Sequence, residues 1–190
     1  KKKKPEIVDP EITKILLTSN VKFDEKSTAK TSTTLKSDVL ETLTTYNTNT
    51  LSQFDGVFRY SKLTGLIDGT DSSILSNITT LKIRKDFTPT LAASTKYNVY
   101  FRNALYNPHS GHNTAEGGIL ESSGFKVSGD SSTVFFLDDD GQGNVRRYSF
   151  SGSTRVYANN TQGTIDYDTG AITINSLSVL SVENIRGAAS

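Results

Sequence analysis

No cysteine, methionine or tryptophan occurs in this 190-residue chain, and proline appears only four times. Without cysteine there are no disulfides and no thiolate metal ligands, which argues against a small disulfide-stapled secreted scaffold. Synthesis in a cytoplasm fits that composition. Methionine is missing even at position 1, so the chain is expected to be a piece of a longer protein. An excess of either charge is also missing: the formal net charge is +1, so no global field steers the molecule to nucleic acid or an anionic membrane. No run approaches the roughly 18 apolar residues a membrane helix needs. Neither nucleic acid nor membrane is therefore expected as a partner.

What is present is polar and β-forming. Hydrophobic residues make up 34% of the chain, little for one thick core, while Thr, Ser and Asn abound. Thr is β-branched and Ser and Asn favour turns, so a strand-rich fold with much exposed loop is expected. A chain of this length buries roughly 70% of its unfolded surface, which suits one large or two small domains. The Lys1–Lys4 run lacks aromatic interleaving and a following apolar stretch. It reads as a solvated, flexible basic segment over 1–10, neither a nucleic-acid arm nor a signal peptide.

Periodicity sets an α+β order for the first half. Ile15, Leu17, Val21 and Phe23 fall on one face of a strand spanning Ile12 to Phe23. Thr31 to Thr34 offer helix N-caps, after which Leu35, Val39, Leu43 and Tyr46 recur at helical spacing up to Asn47. A second helix is predicted from Arg59 to Asp68 with Tyr60, Leu63, Leu66 and Ile67 inside, although Gly65 costs up to ~1 kcal/mol there. Leu81, Ile83 and Phe87 then mark a strand. Strand, helix, helix, strand closes as a two-layer unit over 11–88. Thr88-Pro89 is the predicted boundary, because Pro89 biases Thr88 away from helix and cannot donate to a ladder.

Residues 89–183 read as a mostly antiparallel β domain, followed by a flexible tail over 184–190. Strands are expected at 97–101, 119–127, 134–137, 145–150, 155–158, 163–167 and 171–174, separated by Gly-, Asn- and Asp-rich turns. Such spacing predicts a small sandwich or open barrel.

Candidate chemistry is thin. Asp138-Asp139-Asp140-Gly141-Gln142-Gly143-Asn144 resembles part of a calcium loop, yet position twelve is Ser149 and strands flank it, so a hairpin turn is the better reading. His109, His112 and Glu116 could supply three metal ligands, but the Pro108 and Gly111 neighbours make this an exposed loop without helical zinc spacing. Gly141-Gln142-Gly143 lacks the third Gly and the helix of a dinucleotide fingerprint. Asp166 and Asp168 could pair for glycoside hydrolysis, and turn chemistry explains them more simply. No G-x-S-x-G element occurs. The expectation is a protein that is not an enzyme and carries no cofactor or metal.

The densest information lies in Leu51–Phe87. Phe54, Val57, Phe58 and Tyr60 are four large side chains within seven positions, more than one face of a short helix buries. Together with Arg59 they form the candidate interface, since aromatic residues and Arg are enriched at interface cores. Phe54 and Phe58 suit the domain's own core; Arg59 and Tyr60 suit the interface.

Four blocks carry a family resemblance: QFDGVFRYSKLTGLID, SNITTLKIRKDFTP, TVFFLDDDGQGNVRRY and QGTIDYDTGAITINSL. In order, across Pro10 to Val182, they resemble the C-terminal part of the ring-forming baseplate wedge protein of T-even-like contractile-tailed bacteriophages, a group similar to the baseplate J family. The resemblance implies a structural virion protein, made in the host cytoplasm and placed in the tail baseplate. It implies pairing of chains, a closed ring around the tail hub, contacts with other wedge and hub proteins, and rearrangement when the sheath contracts. The alternative is a carbohydrate- or receptor-binding β module of a phage tail; exposed aromatic platforms would support it, yet Trp is absent and Tyr97, Tyr100 and Tyr106 mostly fit strand positions. A metal-dependent enzyme built on the His109 loop is the third and weakest reading.

Overall fold

A computed structural model describes residues 12–53, 55–112 and 118–183. The expected basic segment over 1–10, the tail over 184–190, Phe54 and Glu116 lie outside the described residues. The chain has an α+β fold whose contacts divide it into two units, residues 14–84 and the residues from 85 onward.

The first unit is strand, helix, helix, strand. Its antiparallel ribbon pairs β1 (Lys14–Phe23) with β2 (Ile74–Arg84), with Leu17 opposite Leu81 and Ser19 opposite Thr79. The helices α1 (Ser32–Tyr46) and α2 (Tyr60–Asp68) cover the ribbon's inner face. Thr31 caps α1, its Oγ1 accepting from the Thr34 amide at 3.2 Å, as its position before the apolar stripe predicts. At its other end α1 widens into one π turn, Asn47–Leu51, closed by the Ser52 amide donating to the Asn47 carbonyl at 2.8 Å. Val39 and Tyr46 of α1 meet Leu63 and Ile67 of α2 and Ile74 of β2 in the core, flanked by Leu17, Val21, Phe23 and Phe58. β2 begins at Ile74, earlier than the expected start at Leu81. Its first half, Ser76-Asn77-Ile78-Thr79-Thr80, is too polar for alternation to register, and its pairing with β1 supplies the order.

The second unit is one antiparallel sheet. Its strands are β3 (Thr95–Tyr100), β4 (Phe125–Val127), β5 (Asp130–Asp139), β6 (Asn144–Ser151), β7 (Thr154–Asp166), β8 (Ala171–Leu177) and β9 (Val179–Val182). The spatial order is β3-β8-β7-β6-β5-β4-β9. Only Ser178 separates β8 from β9, yet β8 lies beside β7 and β9 beside β4. The sheet must therefore curl until β4 lies alongside the continuation of β8. Phe125, Leu137, Val145, Ile165, Ile172 and Leu177 fill its interior.

Three strand expectations are corrected here. The 119–127 strand shrinks to Phe125–Val127, because the Ile119 and Leu120 amides are taken by a carboxylate and not by a neighbouring strand. The DDD stretch belongs to a strand: β5 runs through Asp139, so the turn is confined to 140–143. The 155–158 and 163–167 strands are a single thirteen-residue β7. Gly163 sits within it where a Cβ would collide with the Thr173 carbonyl of β8, so glycine permits the close strand approach.

Ile67 is 0% exposed in the first unit's core. Its replacement by Ala should cost about 2–5 kcal/mol, read as a lower urea midpoint for the transition of that unit with an unchanged slope.

Candidate functional site

The candidate interface residues fall on the loop that enters α2 and on its first turn. Phe58 turns inward and packs on the core of the first unit. Val57 is 62% exposed, Arg59 is exposed at the N-cap of α2, and Tyr60 is 48% exposed with its hydroxyl donating to the Thr79 carbonyl of β2 at 2.7 Å. The structure thus separates the five: Phe58 joins the core, Phe54 lies outside the described residues, and Val57, Arg59 and Tyr60 are at the surface. Gly56 is required in the loop, since a Cβ would lie 2.5 Å from the Thr50 carbonyl oxygen.

Two grooves adjoin this loop. One of about 330 Å³ is lined by Val57 and Arg59 with Asn49, Asp55 and Lys62. The other, about 610 Å³, lies between α1 and α2 and shares Asn49, Thr50 and Lys62 with the first. The Lys62 ammonium stands 5.4 Å from the centroid of the Tyr46 ring. At the far end Lys30 bridges Asp38 of α1 at 2.9 Å and Asp71, before β2, at 2.8 Å. Hydrogen bonds from Lys30 and Ser73 hold the Asp71 carboxyl well below the usual range, and Asp71 and Asp38 raise Lys30. These are shallow, mixed-charge grooves beside an apolar lip, suited to a protein surface more than to a small molecule.

In the second unit the acidic motif is consumed by structure. Asp138, 1% exposed, accepts from Arg146 Nε at 2.9 Å, Arg155 Nη1 at 2.6 Å and the Tyr157 hydroxyl at 2.9 Å. The guanidinium of Arg146 lies over the Tyr157 ring at 4.3 Å, and that of Arg155 over Tyr148 at 4.6 Å. Asp139, its neighbour on the opposite face, accepts from the Ile119, Leu120 and Gly141 amides and from the Tyr167 hydroxyl at 2.5 Å. Gly118, at φ +68°, passes so close that a Cβ would collide with that carboxylate. Asp140 closes the hairpin turn, accepting from the Gln142 and Asn144 amides and from Asn144 Nδ2. Asp166 takes the Asp168 and Thr169 amides and the Thr169 hydroxyl, the arrangement of a turn. No group of three or more His, Asp or Glu side chains converges among the described residues.

Sequence reasoning missed the Asp138–Arg146–Arg155–Tyr157 cluster. Its signal was the symmetry of the hairpin: β5 and β6 pair about Gln142, which sets Asp138 opposite Arg146. The His loop is compact, with His112 Nδ1 at 3.3 Å from His109 Nε2.

The geometry describes a protein of surfaces and internal struts. Comparison with known families finds a likeness for one segment: residues 13–86 match the family model described as "Baseplate structural protein gp6, C-terminal domain III". The match takes in the whole strand-helix-helix-strand unit. It supports a structural role in a phage baseplate and places the protein in the virion. No curated protein matches the chain. No described helix is long and apolar enough to cross a membrane.

Two outcomes test the struts. Asp138→Ala leaves two guanidinium groups without their buried counter-charge and should destabilise the second unit by about 3–5 kcal/mol in urea denaturation. Burial, followed by the hydrogen bond to Asp139, raises the Tyr167 phenol, and burial leads the upward shifts of Tyr148 and Tyr157. A phenol raised on folding contributes stability that is complete below the unfolded value of about 10 and is lost as pH climbs through the folded value. Phenolate absorbance should show these three tyrosines ionising together with unfolding above about pH 10, not before it.

Proposed function

We propose that this chain is a baseplate wedge subunit that associates with copies of itself into a ring around the tail hub and helps carry the rearrangement of the baseplate when the sheath contracts. One observation carries the reading: the unit that matches a baseplate structural domain presents Val57, Arg59 and Tyr60 at its surface beside two shallow grooves. A ring requires each chain to offer two contact regions, or one self-complementary region alternating with a second. The α2 entry is the first. The second is the outer face of the β1–β2 ribbon, which no described helix covers and where Leu16 and Ile78 are exposed between Lys14, Lys22 and Lys82. Other wedge and hub proteins of the baseplate are the further partners.

Size-exclusion chromatography with light scattering on the whole chain tests the reading. A dimer or larger closed species supports it, and a monomer retained by immobilised glycan would favour a carbohydrate-binding module instead. The Arg59→Ala/Tyr60→Ala double variant should weaken self-association tenfold or more, about 1.4 kcal/mol, while circular dichroism stays unchanged. Tyr60→Phe separates the contact from the internal bond, since it loses only the hydroxyl to Thr79. Unaltered dissociation in a folded double variant refutes the assignment of these residues.

A further inference from the structure

The loop between β3 and β4 holds two imidazoles within hydrogen-bond distance of each other. The His112 amide donates to the His109 carbonyl at 3.1 Å, and Gly111 has φ +77°, so residues 109–112 form a tight turn with glycine at its left-handed position. That turn is pinned to the β5–β6 hairpin: the Gly111 amide donates to the Gly141 carbonyl at 2.8 Å, and Asn107 Nδ2 to the same oxygen at 3.3 Å. Both histidines sit at the ends of the turn, where side chains converge. His109 Nδ1 lies 3.2 Å from the Ser110 carbonyl, a contact that only a protonated Nδ1 satisfies. With its proton on Nδ1, His109 accepts at Nε2 a hydrogen bond from His112 Nδ1–H at 3.3 Å, so His112 must move that proton to its own Nε2 before both facing nitrogens can meet one ion. The Tyr106 ring packs edge-on against His112, with centroids 5.3 Å apart, and restricts its rotation.

We propose that His109 Nε2 and His112 Nδ1 chelate one divalent transition-metal ion, of the zinc or copper class. Two imidazole nitrogens each about 2.1 Å from a tetrahedral ion are about 3.4 Å apart, so the observed separation suits a shared ion that replaces the bridging proton, which passes to His112 Nε2 as its tautomer changes. The Ser110 carbonyl does what partners of metal-bound imidazoles do: it fixes the tautomer and the ring plane. Neutral imidazole suits Zn²⁺, Ni²⁺ and Cu²⁺ and is a poor ligand for Mg²⁺ or Ca²⁺, which prefer oxygen. His109 is exposed, so the remaining coordination positions face solvent and take water. The ion would act as a clip across the turn. This inference is independent of the ring assembly, because the two histidines lie outside the unit that matches the baseplate family.

Isothermal titration of the untagged whole chain with ZnCl₂ and with CuCl₂ tests it. One equivalent should bind, with copper tighter than zinc, and His109→Ala and His112→Ala should each weaken binding at least tenfold, since either removes half of the chelate. Imidazole resonances of both histidines should shift together in proton NMR on adding Zn²⁺, and excess Ca²⁺ should leave them in place. Ser110 contributes only a backbone carbonyl, so Ser110→Ala should bind as the parent does. No heat and no resonance shift up to millimolar zinc overturns the proposal. So does binding by either histidine variant as tight as the parent's, which would locate the ion elsewhere.

Discussion

The unit at residues 14–84 depends on one seam, Leu63 and Ile67 of α2 against Ile74 at the start of β2 and Val39 and Tyr46 of α1. A ribbon of two strands is at best marginally stable in water by itself, so its order comes from the helices laid on one face. Burial of that face accounts for the stability of the unit, and on the opposite face of the ribbon Leu16 and Ile78 stay exposed. The exposed Val57, Tyr60, Leu16 and Ile78 are tolerable for a protein that spends its life in an assembly and a liability for one that does not.

The second unit solves a different problem. Its β5 strand carries two successive carboxylates into nearly complete burial, one to each face of the sheet. An unpaired buried carboxylate would cost several kcal/mol, and here each is met by donors of contrasting kind. Asp138 is met by guanidinium groups and a phenol from β6 and β7, which ties three strands together. Asp139 is met by amides of the incoming 118–120 segment and the phenol that follows β7. The same acidic run that suggested a cation loop therefore functions as a pair of polar cross-links. Its oxygen atoms are already engaged by protein donors.

Where apolar spacing was strong, the sequence was readable. Leu35, Val39, Leu43 and Tyr46 located α1, and Leu63 and Ile67 located α2 to within a residue. Reading failed where pairing partners, not side chains, decide the conformation. Polar Ser76 to Thr80 become strand because β1 supplies the hydrogen bonds, and Ile119 and Leu120 do not because Asp139 takes their amides. The curl of the sheet was also hidden, since it follows from β8 and β9 serving different neighbours across a single residue. Among candidate site residues, the inward turn of Phe58 was legible from its apolar character. The separation of Tyr60 from Arg59, one reaching to β2 and the other to the groove, was not.

That single residue between β8 and β9 has a consequence for biogenesis. β3 finds its partner only at Ala171–Leu177, and β4 is flanked by β5 on one side and by Val179–Val182 on the other. The opening strand of the sheet therefore waits, with its backbone groups solvated, until some seventy more residues have been translated, and contacts so distant along the chain make for slow closure. The ribbon-and-helix unit is complete by Arg84, long before that point. Nascent chains would carry a finished first unit beside an unsealed second one, and it is the second that has most need of protection from premature pairing with its neighbours.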